Sequence, residues 1–413
     1  MTRPSAHVDA ARLWQSHLSL ARHGATAAGG VNRQALSDEE IAARRELLAS
    51  AHELGLAAYT DGAGNFFLRM EGLENEAAPV LTGSHIDSQP TGGRFDGAYG
   101  VLAGIEAIRA IRAAGIRPRR PIEVVAWMNE EGSRFAPGMM GSAAFAGAAE
   151  LGAFLDITDA SGVSVGHELE RMRRALPDVP LRALGLTVAA YVEAHIEQGP
   201  VLEQQGCSVG VVSGIQGKRT FRVTVSGEEA HAGTAPLRQR RDALLAATAI
   251  IQGLSKAFAD PEDIVKFTVG RIEVQPNAPS VVAARAVFSI DLRHPDSARL
   301  RSLGDDIPRL CASHAQPCEA SVHELTSAMS LEFPLPIRDL IRQCAAQIGI
   351  RSLDLPSAAG HDARFMHGIC PSGMIFVPCK GGISHNEAES ATADDLADGT
   401  RVLADALLAL AEQ

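Results

Sequence analysis

Ile122-Glu123-Val124-Val125-Ala126-Trp127, running through Met128 into Asn129-Glu130-Glu131-Gly132, decides how this chain folds. A short, nearly continuous apolar run closed by polar turn residues reads as a strand buried on both faces, the habit of parallel sheets covered by helices. Upstream, residues 100–114 place Leu102, Ile105, Ile108 and Ile111 at helical spacing. Before that helix, Pro79-Val80-Leu81-Thr82 forms a short strand ended by Gly83-Ser84-His85. Strand, amphipathic helix, strand is the unit of a largely parallel α/β sheet. The N-terminal stretch to about Leu56 reads as helices, over 8–21 and 38–54. The closing part returns to α/β, with a strand at Met374-Ile375-Phe376-Val377, a Gly-rich loop and a helix over 393–411.

Between these parts the rhythm changes, from about Gly214. Phe221-Arg222-Val223-Thr224-Val225 alternates like a half-exposed strand, and a helix follows over 240–257. Strand-like runs over 264–274 and 281–292, a helix over 296–313 and a strand over 318–325 complete the series. That order, β-α-β-β-α-β, is the split βαβ of a ferredoxin-like module. Phe333-Pro334-Leu335-Pro336 marks the return to the first domain. The expected organisation is a discontinuous α/β domain over 1–213 and 333–413, with a central mostly parallel sheet, interrupted by an inserted α+β domain over 214–332. The length of 413 residues suits two domains.

With 38 basic against 49 acidic side chains the formal charge is −11, which argues against nucleic acid or an anionic membrane as partner. No apolar run approaches the roughly 18 residues of a membrane span. The start, Met1-Thr2-Arg3-Pro4, has no signal-peptide core, and the six cysteines include no CxxC pair. A cytoplasmic chain with reduced thiols is the expectation.

Metal-type ligands recur in segments at the ends of expected strands or in the loops after them, where open α/β sheets bind their ligands. They are Gly83-Ser84-His85-Ile86-Asp87-Ser88, Gly92-Gly93-Arg94-Phe95-Asp96-Gly97, Asn129-Glu130-Glu131-Gly132, Glu193-Ala194-His195-Ile196-Glu197-Gln198-Gly199 and Gly381-Gly382-Ile383-Ser384-His385-Asn386. Singly, each has an ordinary structural explanation: a strand-end His is commonly a hydrogen-bonded residue, and an Asp in a Gly-rich loop a turn former. The adjacent anions Glu130 and Glu131 after an apolar strand are harder to explain. They repel unless something cationic compensates them, and a metal does so with one carboxylate as ligand and the other free to act on water.

The five segments, in this order from about residue 80 to the C-terminus, resemble the dinuclear metal amidohydrolases that include N-carbamoyl-L-amino-acid hydrolases, β-ureidopropionases and allantoate amidohydrolases. The resemblance implies two divalent ions per subunit (Zn²⁺, Mn²⁺, Co²⁺ or Ni²⁺), with His85 and His195 on one, Glu131 and His385 on the other, and Asp96 bridging. It makes Glu130 the general base. His195, where the wider group has a carboxylate, points to the carbamoyl and allantoate branch. The resemblance further implies that the inserted domain is a lid and dimerisation domain, and that the protein is a homodimer in which His231, in Gly227-Glu228-Glu229-Ala230-His231, reaches the substrate carbonyl across the interface. Asn277 and Arg293 resemble the residues that grip the substrate's carboxylate, for which a planar guanidinium is suited. Gln198, Gln216, Gly360 and His361 complete the implied pocket. The implied reaction hydrolyses a small anionic ureido compound, most simply an N-carbamoyl-L-amino acid or N-carbamoyl-β-alanine, to the amino acid, CO₂ and ammonia. Allantoate is the alternative substrate on the same chemistry.

Two rival readings have weaker support. Gly162-Val163-Ser164-Val165-Gly166 matches the GxSxG pattern of serine hydrolases, but the preceding Phe154–Asp159 is too polar for the strand that motif needs. A non-catalytic binding protein on the same fold has no use for Glu130 beside a ligand Glu131. His167-Glu168 lacks the second His of HExxH, and Gly62-Ala63-Gly64 lacks the third Gly of a dinucleotide fingerprint.

Overall fold

The computed structural model describes residues 3–413. Along the chain the strands are β1 (Ala57–Thr60), β2 (Phe66–Met70), β3 (Val80–His85), β4 (Ile122–Trp127), β5 (Ala190–Ile196) and β6 (Val209–Ile215), then β7 (Gly217–Ser226), β8 (Ala230–His231), β9 (Lys266–Thr268), β10 (Ile272–Gln275), β11 (Val281–Val282), β12 (Arg285–His294), β13 (Glu319–Ala328) and β14 (Leu331–Glu332), and last β15 (Ser352–Ser357) and β16 (Ser372–Val377). Contacts divide the chain into two compact units, one ending at Ser213 and resuming over Phe333–Gln413, the other Gly214–Glu332.

The first unit is built on a mixed sheet in the order β1-β2-β4-β3-β5-β16-β6, with β15 also paired to β6. Pairing is parallel through β4, β3, β5 and β16, and antiparallel at β1/β2, β2/β4 and β16/β6. Every residue of the four parallel strands is buried, which is why Ile122–Trp127 lacks apolar/polar alternation. The helix Ala98–Ala113 starts from the Asp96-Gly97 turn and buries most of its surface, including Leu102, Ile105, Ile108 and Ile111. A long helix, Ala393–Ala411, capped by Thr392, packs beside it. The β1–β2 hairpin, β6 and β15 were not legible from periodicity. All three are antiparallel additions or short edge segments of mixed polarity.

In the second unit the sheet order is β10-β12-β7-β13, with β9 also on β12, and every pairing is antiparallel. This is the strand order of a ferredoxin-like module, its second strand split into β9 and β10. The run expected as one strand over 281–292 divides as well, because Val281 and Val282 pair with β8 in a separate two-stranded ribbon. Alternate residues of β7 and β12 (Phe221, Val223, Val225, Phe288, Ile290, Leu292) are buried against helices Ala243–Ala257 and Ser297–His314.

Ser164 is the N-cap of the helix Val165–Ala175, its hydroxyl accepting from the His167 N–H at 3.2 Å. A helix cap needs only a short acceptor side chain, which accounts for the GxSxG match without nucleophilic chemistry. Ser164→Ala is expected to cost about 1 kcal/mol of stability, measured by denaturant melts, and to leave turnover unchanged; loss of turnover would revive the serine reading. Among the described residues no helix is long and apolar enough to cross a membrane.

Candidate metal centre

The carboxyl ends of the parallel strands deliver the acidic and imidazole groups to one place. His85 closes β3 and His195 lies near the end of β5. Each points one ring nitrogen at a backbone carbonyl: Nδ1 of His85 at Asp87 O and Nδ1 of His195 at Ile196 O, both at 2.9 Å. A proton on Nδ1 donated to that carbonyl leaves each Nε2 with its lone pair toward the centre, where that of His195 also accepts from the Gly97 N–H at 3.2 Å. There His195 Nε2 lies 3.2 Å and His85 Nε2 3.7 Å from Oδ1 of Asp96. The other oxygen, Oδ2, lies 3.3 Å from Nε2 of His385, which is in turn 3.4 Å from Oε2 of Glu131. Two donor groups thus share Asp96: His85–Asp96–His195 and Asp96–Glu131–His385, each with its donor atoms within 4.8 Å of one another. Gly97 has φ +63°, and a Cβ there would meet the His85 ring at 2.3 Å, so glycine is what lets the Asp96 turn approach the imidazole.

Glu130 follows β4 and turns its Oε2 to within 3.6 Å of His85 Nε2. The turn is held by Asp87, whose two oxygens accept from the N–H groups of Glu130 (3.2 Å) and Glu131 (3.1 Å). Gln89 donates to Glu131 at 2.7 Å. Gln198 donates to Asp96 Oδ2 at 2.9 Å, while its own Oε1 is buried with no hydrogen-bond partner among the described residues. The His361 ring stands edge-on to His195 with centroids 4.6 Å apart, its Nε2 against the Ser357 hydroxyl at 2.9 Å. Gly360 is exposed beside it, facing the Met139 thioether. A third donor group, Glu193–His195–His361, is already satisfied: Glu193 accepts from Ser84, Tyr191 and the Ala363 N–H.

The electrostatics of the centre are those of an anionic hole. Burial, then the neighbouring charges of Asp362 and Glu131, pushes Glu130 well above the usual carboxylate range. Burial and Asp96 push Glu131 up to about 7. His85 is lowered to about 4 by burial, whereas Asp96 outweighs the burial of His195 and raises it to about 9. Hydrogen bonding to Asp96 raises His385 to about 9 as well. Left to itself, the cluster holds protons where positive charge is wanted. Nitrogen and oxygen donors converging on one carboxylate, with Gln198 Oε1 unpartnered beside them, suit a divalent cation.

The remaining residues singled out in the sequence are carried by the second unit. Gln216 follows β6. His231 ends β8 with its Nδ1 accepting from the N–H groups of Gly233 (3.0 Å) and Thr234 (3.1 Å), which leaves the proton on Nε2. Asn277, after β10, is in the left-handed region at φ +57°. Arg293 on β12 is paired with Asp291, which also meets Lys218 at 3.2 Å. Asp87 and Ser384 stood inside quoted segments without a role, and Gln89 and Glu389 outside them. Their only sequence signal is a polar residue one to four positions from a candidate ligand.

A profile of peptidase family M20/M25/M40 matches residues 81–409, which takes in all the residues of this centre. The chain belongs to that family. Among curated relatives it is 38% identical to an N-carbamoyl-L-amino-acid amidohydrolase of Rhizobium meliloti, covering 98% of this chain and 97% of that one. It is 37% identical to an allantoate amidohydrolase of Escherichia coli, covering 95% and 96%. Among solved structures, an amidase of the hydantoinase/carbamoylase family from Burkholderia multivorans superposes with a TM-score of 0.88 at 42% identity, covering 98% and 99%. Similarity of that extent takes in both units.

Proposed function

We propose that this protein hydrolyses the C–N bond of an N-carbamoyl-L-amino acid or of N-carbamoyl-β-alanine, giving the free amino acid, CO₂ and ammonia. The observation that carries the reading is Asp96 set between His85/His195 and His385/Glu131, with Glu130 Oε2 3.6 Å from His85 Nε2 and in neither donor group. His85, Asp96 and His195 would hold one cation and Asp96, Glu131 and His385 a second. Bound there, Zn²⁺, Mn²⁺, Co²⁺ or Ni²⁺ would polarise the ureido carbonyl and acidify water. That polarisation matters because two nitrogens deactivate a ureido carbon.

Glu130 takes the proton of the attacking water and returns it to the leaving nitrogen, so that ammonia departs and the carbamate loses CO₂. Gln198 orients Asp96 through the 2.9 Å bond to Oδ2. His231, with its proton on Nε2, is a donor suited to a carbonyl oxygen. Gln216, Asn277, Gly360 and His361 complete the substrate contacts. Arg293 receives the substrate's carboxylate. Lys218 and Arg293 flank the single charge of Asp291, so the group is net positive within a chain of charge −11. Arg293→Ala is expected to raise KM about tenfold or more, in line with about 1.5–3 kcal/mol for a charged hydrogen bond, with kcat less affected. An unchanged KM removes Arg293 from this role.

The inserted unit, on this reading, serves as lid and dimerisation domain, and His231 acts in the partner's site. Mixing inactive His231→Ala with inactive Glu130→Gln should then regenerate activity, because one mixed site is intact. No recovery after verified subunit exchange would place His231 in its own subunit's site.

Allantoate hydrolysis is a second reading, favoured by the allantoate amidohydrolases among the relatives. Ammonia release from N-carbamoyl-L-, N-carbamoyl-D- and N-carbamoyl-β-amino acids and allantoate separates the two. Greatest kcat/KM on an N-carbamoyl-L-amino acid or N-carbamoyl-β-alanine is expected. Preference for allantoate selects the second reading, and release from none of them sinks both.

A further inference from the structure

Glu389 is a buried glutamate, 1% exposed, on the loop that follows His385. One of its oxygens, Oε1, accepts two backbone N–H groups, from Phe95 at 2.7 Å and from Asp96 itself at 3.1 Å. The other lies 3.4 Å from the Ser384 hydroxyl, which donates to Asp96 Oδ2 at 2.8 Å. The Glu389 N–H closes a turn onto Asn386 O at 3.0 Å, just behind His385. One side chain therefore ties the loop of Asp96 to the loop of His385, across nearly 300 residues of sequence.

The Asp96 loop is shaped to receive it. A Cβ on Gly93 would fall 2.0–2.2 Å from the Glu389 carboxylate atoms, so the second glycine of Gly92-Gly93 is the space this carboxylate occupies. Glu389 is not itself one of the ligand-type groups converging on the centre. Its Oε1 is engaged by the backbone, so its effect on the centre passes through Asp96 and Ser384.

We propose that Glu389 is a positioning residue that fixes the direction of the Asp96 carboxylate and its spacing from His385. The proposal rests on reading Asp96 and His385 as metal ligands. Hydrogen-bonded partners behind metal ligands are worth about 10–100-fold in metal affinity, and that is the scale expected here.

The test is calorimetric titration of Mn²⁺ into the chelator-stripped full-length protein, alongside Glu389→Ala, Glu389→Gln, Gly93→Ala and the double Gly93→Ala/Glu389→Ala variant, with steady-state kinetics on each. Glu389→Ala and Gly93→Ala should each weaken Mn²⁺ binding by about 10–100-fold. The double variant should be little worse than either, because both break one contact. Glu389→Gln should bind near the parent level, since an amide oxygen still accepts both N–H groups. At saturating metal, kcat should fall in the alanine variants with KM little changed. Parent-like affinity in Glu389→Ala overturns the proposal, and so does a Glu389→Gln variant as weak as the alanine. If Glu389→Ala fails to fold, Gly93→Ala decides alone, and parent affinity there overturns it equally. A parent that binds no Mn²⁺ while Asp96→Ala behaves like it fails the metal reading itself, which distinguishes the two failures.

Discussion

Glu130→Gln should retain its divalent metal and turn over substrate about 10²–10⁴-fold more slowly, the range that proton transfer by a placed side chain contributes. The two adjacent glutamates are separated in role by where they point. Glu131 Oε2 faces His385 at 3.4 Å and the same oxygen takes a hydrogen bond from Gln89. Glu130 Oε2 faces His85 at 3.6 Å, and burial, with the neighbouring charges of Asp362 and Glu131, pushes its affinity for a proton well above the ordinary range. The amide of glutamine matches the carboxylate in size and keeps the backbone N–H bond to Asp87, but it cannot accept the proton. Metal analysis and kinetics on the same preparation check the pair of claims. Turnover near the parent level would remove Glu130 from the base role, and loss of metal would make it a ligand.

Asp96→Ala should be the most damaging single change. Both oxygens of this side chain are committed, Oδ1 toward His85 and His195, Oδ2 toward His385, so its removal takes a ligand from both donor groups at once. It also removes the anion that raises His195 and His385 to about 9. A cation that binds the folded state at 100 times its dissociation constant stabilises it by about 2.7 kcal/mol. The parent should therefore show a metal-induced rise in thermal midpoint, and Asp96→Ala none, with activity at background. A variant that still gains stability from divalent metal and still releases ammonia would show that Asp96 does not join the two groups.

Three of the four parallel strands, β3, β4 and β16, were legible because burial on both faces leaves a simple signature, whereas β5, which carries Glu193 and His195 within it, was not expected as a strand. Ile122–Trp127 is apolar but for Glu123, whose buried carboxylate is paired with Arg69 and Arg182, and the polar residues that follow it stand out against that run. The second unit was legible for a related reason, since β7 and β12 each cover one face and so alternate. Asp87, Gln89 and Glu389 were not legible. Each is hydrogen-bonded to the backbone or side chain of a residue of the centre, and no periodicity records which polar side chain is bonded to which loop. β9 and β10 are split by a one-residue change of register along the same partner, β12, and β11 is split from β12 by pairing with the distant β8; local residue order encodes neither.

The most direct measurement is ammonia release from an N-carbamoyl-L-amino acid by the protein stripped with chelator, dialysed, and then given back Zn²⁺, Mn²⁺, Co²⁺ or Ni²⁺ in turn. Activity should vanish with the metal and return with at least one of the ions. Full activity in protein shown by elemental analysis to hold no divalent metal would contradict it.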